Sequence, residues 1–335
     1  MVSLIVDMHA HVFTKEALAG VDRRYRKYAP QLMVEGGKYV IVTGDRSSGP
    51  LEPMPGFGDV EGRLRFMDEA GVDVQVVSVT PGNFCYEAPP EAGAVIAAVQ
   101  NDAIADMVGD HPERFVGCAT VPLQDPGAAV EELNRCVRDL GFTSVEIGSN
   151  VAGRNLDSPE LVPFYSKAER LGTPIVVHPI NNAGADRMGR YYLGNIVGNP
   201  LETTLAVGSV VFGGVLEKFK KLTFCWGHGG GFWPYQIGRF DHGYAVRPEP
   251  KANIPKPPSA YASRMYYDTI THSEGALSYL VSSMGVRNVL YGTDFPWDMG
   301  DYDAIPMIKG MRALKVEDKA RILGETSAKL FRVKA

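Results

Sequence analysis

Only four cysteines (Cys85, Cys118, Cys136 and Cys225) occur in 335 residues, and none stand in a CxxC spacing. That excludes a zinc-finger set and a disulfide framework, and leaves the four to be read as small buried apolar residues. Lysine and arginine number 34 against 39 acids, with no basic run, so the phosphate footprint of a nucleic-acid binder is missing. No apolar stretch approaches the ~18 residues of a membrane span. Met1 to His11 lacks the basic start and long apolar centre of a signal peptide. The expectation is a cytoplasmic protein that engages neither membrane nor nucleic acid. A nucleotide loop of the GxGxxG or Walker type is also absent after the first candidate strand, which weakens the case for a doubly wound open sheet.

What is present is a globular composition, 45% apolar and 22% charged, enough for a large core and incompatible with disorder. Eight short β-branched runs alternate with segments of helical period: Leu4 to Met8, Val72 to Val79, Phe115 to Val121, Thr143 to Ile147, Pro174 to Val177, Leu222 to Trp226, Met265 to Ile270 and Asn288 to Tyr291. Several are apolar at successive positions, as strands covered on both faces must be. The pattern predicts an α/β fold, a (β/α)8 TIM barrel spanning residues 1–335 as a single domain. Between the first strand and a helix starting at Val60 lies a long irregular stretch, so a small N-terminal insertion is expected at about 14–58. Tyr39 to Thr43 and the Gly- and Pro-rich residues after it read as a hairpin there.

Five of the seven histidines fall at or just beyond the carboxyl ends of these strands, where a barrel builds its active site. His9 and His11, two apart on a strand, share a face and can grip one ion. His178 ends Ile175-Val-Val-His178, and Asp294 ends Leu290-Tyr-Gly-Thr-Asp294. If the barrel closes, these ends converge as three imidazoles and a carboxylate, a set suited to Zn2+ with Mn, Fe or Co not excluded. A purely structural ion is the plain alternative. His228, in Cys225-Trp-Gly-His-Gly-Gly-Gly231, follows the sixth strand and is assigned as a catalytic acid/base, with a fifth ligand as the competing role. His272 ends the seventh strand and either meets substrate or orders the rim. His111 and His242 read as structural.

Arg239, after the Gly-rich turn, can bind a carboxylate bidentately or simply pair with Asp241. Trp226, Phe232, Trp233 and Trp297 concentrate aromatic surface around the same strand ends; some of these are expected in the core, and a partly aromatic pocket with few cations suits a planar, unsaturated acid.

These motifs together resemble the amidohydrolase superfamily: Asp7-Met-His-Ala-His11, Val177-His-Pro179, Phe224-Cys-Trp-Gly-His-Gly-Gly-Gly231, Gly238-Arg239 and Gly292-Thr-Asp-Phe-Pro296. More closely, the chain is similar to the decarboxylase branch typified by α-amino-β-carboxymuconate-ε-semialdehyde decarboxylase. The similarity runs over the full length and includes Gly71-Val-Asp-Val-Gln-Val76, Val121-Pro-Leu-Gln-Asp125 and Lys256-Pro-Pro-Ser-Ala-Tyr261. The resemblance implies one zinc held by His9, His11, His178 and Asp294, with Asp294 also part of the catalytic machinery. It implies proton handling by His228, and a homodimer in which Arg239 reaches the neighbouring subunit's substrate. The substrate-binding arginine of that branch's N-terminal insertion has no clear counterpart here; Arg46 is the nearest cation.

The function so implied is zinc-dependent, non-oxidative decarboxylation of an unsaturated or aromatic carboxylic acid in aromatic catabolism. Substrate contacts are expected from Arg239, His272 and Trp297. The alternative is a metal-dependent hydrolase or hydratase on the same scaffold, because the ligand residues alone do not separate the two.

Overall fold

The computed structural model describes residues 4–44, 46–52 and 54–334. Eight strands form one parallel sheet: β1 (Val6–Val12), β5 (Val74–Val79), β6 (Phe115–Ala119), β7 (Ser144–Gly148), β10 (Ile175–His178), β11 (Phe224–Trp226), β12 (Met265–Asp268) and β13 (Val289–Leu290), neighbours in that order. The ends of the sheet meet through Met8 N–H to Tyr291 O (3.0 Å), His11 N–H to Phe295 O (2.7 Å) and Asp294 N–H to His9 O (2.8 Å). The eight expected strands are the eight observed. Several boundaries move: β1 runs on to Val12 and so contains His9 and His11, whereas β6 stops at Ala119, β12 at Asp268 and β13 at Leu290, which leaves His272 and Asp294 in the loops beyond their strands.

The insertion is more elaborate than a hairpin. A short helix α1 (Lys15–Ala19) leads to a three-stranded antiparallel sheet of β2 (Gln31–Glu35), β3 (Lys38–Thr43) and β4 (Arg46–Leu51). Its core residues, Ile41 and Phe57 among them, pack with Phe13, Cys85 and Ile96 against the barrel's mouth. A tiny hairpin, β8 (Asn150–Val151) with β9 (Arg154–Asn155), follows β7.

The helices surround the barrel. They are α2 (Val60–Ala70), α3 (Pro90–Asp110), α4 (Pro126–Arg138), α5 (Val162–Leu171), α6 (Asn199–Phe212), α7 (Val215–Lys218), α8 (Trp233–Val246) and α9 (Glu274–Met284), then α10 (Ala304–Gly310), α11 (Val316–Ala320) and α12 (Thr326–Leu330). Local chemistry sets their ends. Asp59 and Asp125 cap α2 and α4 by accepting N–H bonds of the first turn, and Gly71 closes α2 in the left-handed conformation that costs glycine little. None of the described helices is long and apolar enough to cross a membrane.

Strand side chains alternate between two cores. Val77, Val145, Ile147, Ile175, Val177 and Phe224 face the helices, whereas Val74, Val76, Cys118, Val176, Cys225 and Leu290 fill the barrel. Val6 and Met8 belong to the interior set, which by strict alternation would turn His9 and His11 outward. An extra residue in β1 between Asp7 and Ala10 shifts its register against β5 and flips the phase, so both imidazoles point in. Asp7 stays outside, receiving Gln75 (2.9 Å) and Thr293 (2.6 Å), while buried Arg63 from α2 donates to Gln75 (2.9 Å). All four cysteines are buried and unbridged, and Trp226 and Trp233 are wholly buried in the outer core instead of lining a pocket.

Candidate metal centre

Four histidines and Asp294 come together at the C-terminal mouth of the barrel. In three of the rings Nδ1 is occupied: His9 with Asp268 Oδ2 (2.7 Å), His11 with Val79 O (3.0 Å) and His178 with Pro179 O (3.0 Å). Carbonyl and carboxylate oxygens only accept, so each Nδ1 carries the hydrogen and each neutral ring presents a bare Nε2. Those three Nε2 atoms stand 3.5, 3.1 and 3.9 Å from Asp294 Oδ1, and the His9 and His11 nitrogens are 3.0 Å apart. Donors about 2.05 Å from a common tetrahedral ion lie about 3.3 Å from one another, so the spacing matches an ion-sized centre. His178 Nε2 and Asp294 Oδ1 are buried and make no hydrogen bond. Two orphaned polar atoms facing each other across a buried cluster fit a divalent metal ion.

His228 occupies the other side of the carboxylate, its Nε2 3.3 Å from Asp294 Oδ2 and its Nδ1 without a partner. Donor atoms of His9, His178, His228 and Asp294 all lie within 4.8 Å of one another, so geometry alone admits His228 as well as His11 to the ligand shell. Its side chain is 14% exposed, against 8% or less for the other three imidazoles.

Backbone strain concentrates here. Asn181 (φ 50°), His228 (54°), His272 (52°) and Asp294 (60°) all sit in the left-handed region that non-glycine residues avoid, and all line the cavities around the cluster. Glycine solves the opposite problem nearby: a Cβ on Gly292 would lie 2.9 Å from His9 Cβ, so only glycine lets β13's continuation pass behind the ligand.

Two buried acids escaped the sequence reading. Asp268, at the end of β12, accepts His9 Nδ1 and the His228 N–H (2.9 Å) on Oδ2, and the N–H groups of Gly229 (2.7 Å) and Ile270 (3.1 Å) on Oδ1. Glu146 of β7 is fully buried below His11, 3.9 Å from its Nδ1, with neither oxygen hydrogen-bonded. Together His9, His11 and Glu146 form a second buried donor group that shares His9 with the set of His9, His178, His228 and Asp294. Burial raises the Glu146 carboxyl above its ordinary range, with His11 and His9 opposing. The only signal for either was an acid inside an otherwise apolar strand.

Burial alone would push the His9 imidazole toward neutrality. The Asp268 hydrogen bond and the charges of Asp294, Asp268 and Glu146 outweigh it and raise the group to about 9. Burial, reinforced by the neighbouring imidazoles, holds His178 well below its usual value. Asp294 is well below the carboxylate range: burial opposes this, but His11, His228 and His9 prevail. At neutral pH without an ion, His9 is therefore protonated while His178 and Asp294 are ready to coordinate. An ion held by His9 would have to expel that proton, so apparent affinity is expected to rise about tenfold per pH unit up to about 9. Calorimetric zinc titrations in buffers of different ionisation enthalpy check this; affinity unchanged between about pH 6.5 and 8.5 contradicts it.

Two cavities flank Asp294. The larger, about 590 Å³, runs between the insertion and residues 178–199 and is walled by Phe84, Tyr86, Tyr192 and Trp297. The smaller, about 280 Å³, is lined by His228, Phe232, Tyr235, His272 and Met299. Trp297 and His272 thus reach the site. Arg239 is exposed on α8 and lines neither cavity, and the Arg46 side chain lies outside the described residues.

A His/Asp ion site at the C-terminal mouth of a (β/α)8 barrel defines a metal-dependent barrel enzyme. The amidohydrolase family profile matches residues 6–333, and the chain belongs to that family. A 2-amino-3-carboxymuconate-6-semialdehyde decarboxylase of Dictyostelium discoideum is 38% identical over 267 residues, covering 79% of this chain and 74% of the relative. A γ-resorcylate decarboxylase of Rhizobium sp. is 27% identical over 290 residues, covering 81% and 86%. The crystal structure of 5-carboxyvanillate decarboxylase from Sphingomonas paucimobilis superposes with a TM-score of 0.83 at 24% identity, covering 99% of this chain and all of that one. Within the family, the chain falls on the decarboxylase branch.

Proposed function

We propose that the protein is a zinc-dependent, non-oxidative decarboxylase of a small unsaturated or aromatic carboxylic acid. The observation that carries this is the convergence of three Nε2 atoms on Asp294 Oδ1 beside a cavity of about 590 Å³ with aromatic walls. His9, His11, His178 and Asp294 hold the ion in this reading. When bound, it supplies a fixed positive charge that binds acid oxygens and withdraws electron density.

His228 carries the proton. It stands beyond the ligand cluster, close to Asp294 and open to the smaller cavity, where it can protonate the ring or chain carbon bearing the carboxylate. Protonation interrupts conjugation at that carbon. The carbon–carbon bond then breaks, its electron pair restores the conjugated system, carbon dioxide leaves, and the carbon keeps the proton. No oxidant or reductant enters the balance. Trp297 offers a flat apolar wall to the ring and His272 a polar contact in the smaller cavity.

Arg239 acts on a neighbouring subunit in a homodimer. The exposed Phe232, Tyr235 and Tyr279, near it on the α8 and α9 side, form an apolar surface that a second copy would cover. The four unbridged cysteines suit the reducing cytoplasm.

Zinc-loaded protein incubated with dihydroxybenzoates or an aminomuconate semialdehyde acid is expected to yield a product lighter by one carbon dioxide, by mass spectrometry. A product heavier by one water overturns the reading in favour of a hydratase. Chelation is expected to abolish turnover and leave the far-ultraviolet circular dichroism of the barrel intact, with activity restored by zinc; loss of the fold instead assigns the ion a structural role.

A further inference from the structure

We propose that the N-terminal end of the barrel carries an anion-binding site that takes a small polyanion, one bearing phosphate or several carboxylates. The site lies at the opposite end of the barrel from the metal centre and does not depend on the decarboxylase reading.

A cavity of about 490 Å³ opens there, between the segments that lead into β10, β11 and β13 and the C-terminal helical residues 321–330. That volume falls within the range of small-molecule pockets, about 300–1,000 Å³. Barrels of this kind place their catalysis at the other face, so the chemistry at the mouth makes no use of this cavity.

Charge is the first ground. Lys221, Arg287, Arg321 and Lys329 line the cavity against two acids, Glu169 and Glu325. The cations come from stretches far apart in the chain, so the fold assembles a basic cluster where the sequence has no basic run. Arg321 pairs with Asp318 (2.8 Å), whereas the side chains of Lys221, Arg287 and Lys329 have neither an ion pair nor a hydrogen bond among the described residues. Glu169 is already engaged, accepting the Lys221 N–H on Oε1 (2.7 Å). Arg332, tied to the carbonyls of Leu171 (3.3 Å) and Gly172 (2.8 Å), adds a further positive charge beside the rim. Unpaired cations gathered around one concavity repel each other and concentrate a positive potential that an anion relieves.

Hydrogen-bonding capacity is the second ground. Thr173 lines the cavity, is only 3% exposed, and its Oγ1 has no hydrogen-bond partner. A buried hydroxyl left unpaired carries a cost that a ligand oxygen removes. The Tyr266 phenol of β12 lines the same cavity, and burial raises it above its ordinary range, so it stays a protonated donor. One planar guanidinium, two ammonium groups and these hydroxyls can each meet a different oxygen, which fits an anion of two or more charges better than a lone carboxylate.

The test is calorimetry on the zinc-loaded protein at about 50 mM salt, with 3-phosphoglycerate, tricarballylate and acetate as probes. At least one polyanion is expected to bind at least about tenfold more tightly than acetate, and the stronger of the two shows whether phosphate or carboxylates are preferred. Raising salt to about 500 mM is expected to weaken that binding. The triple variant K221Q/R287Q/K329Q is expected to lose at least about tenfold in affinity while its zinc content and melting temperature stay at wild-type values, and R287Q alone about threefold. A polyanion that binds no more tightly than acetate, or whose affinity none of these substitutions changes, overturns the proposal. The variants also separate the two ends of the barrel, because a polyanion held by the zinc is indifferent to substitutions at the opposite face.

Discussion

His228→Asn lowers kcat about 10³-fold while the protein still purifies with its metal content unchanged. The two outcomes belong together because the structure puts His228 in contact with Asp294 Oδ2, while the three other imidazoles gather on Oδ1. A proton carrier can be removed without opening the ion's coordination; a ligand cannot. The ring is well placed for this role, with an unpartnered Nδ1, an edge open to the smaller cavity and a backbone clamped at residues 228 and 229 by Asp268. Metal analysis beside steady-state kinetics makes the check. Loss of metal in step with activity would make His228 a ligand, and near-normal kcat would remove it from the chemistry.

Asp268→Asn weakens metal binding by about 10- to 100-fold. It also lowers the melting temperature of the metal-free protein by about 5 °C, the scale expected when a buried ionic hydrogen-bond centre is broken in a chain of this size. Both carboxylate oxygens are fully used, each accepting two N–H bonds, so an amide at this position must turn its own NH2 toward two donors. If the NH2 faces Oδ2's partners, His9 loses the acceptor that fixes its tautomer and the His228 loop loses an anchor. If it faces Oδ1's, Gly229 and Ile270 are left unsatisfied. Zinc titration and thermal melting read the two effects separately. Wild-type affinity in the variant would show that His9 needs no help from Asp268.

Asp268 also marks where sequence reading stops. It is 259 residues from His9, and nothing local in Met265-Tyr-Tyr-Asp268 distinguishes a ligand-orienting acid from a strand-end turn residue. The nearby His272, chosen for its chemistry, lines only the smaller cavity. Arg239, chosen for its charge, proves to be exposed on α8, because helical spacing says which face a residue shares but not what stands opposite. Of the four aromatics near the strand ends, Trp226 and Trp233 are the ones whose side chains are buried in the outer core.

By itself the sequence determined the eight strands, the helices between them and the histidines and aspartate near their carboxyl ends, because side-chain periodicity and strand length are local properties. Tertiary structure decided the rest. The register shift in β1 turned His9 and His11 inward, the insertion folded as a three-stranded sheet to wall the larger cavity, and Asp268 and Glu146 came to lie against the imidazoles. Each of these depends on how distant segments meet when the barrel closes. A one-residue slip between strands changes the face of every later side chain without changing composition or period.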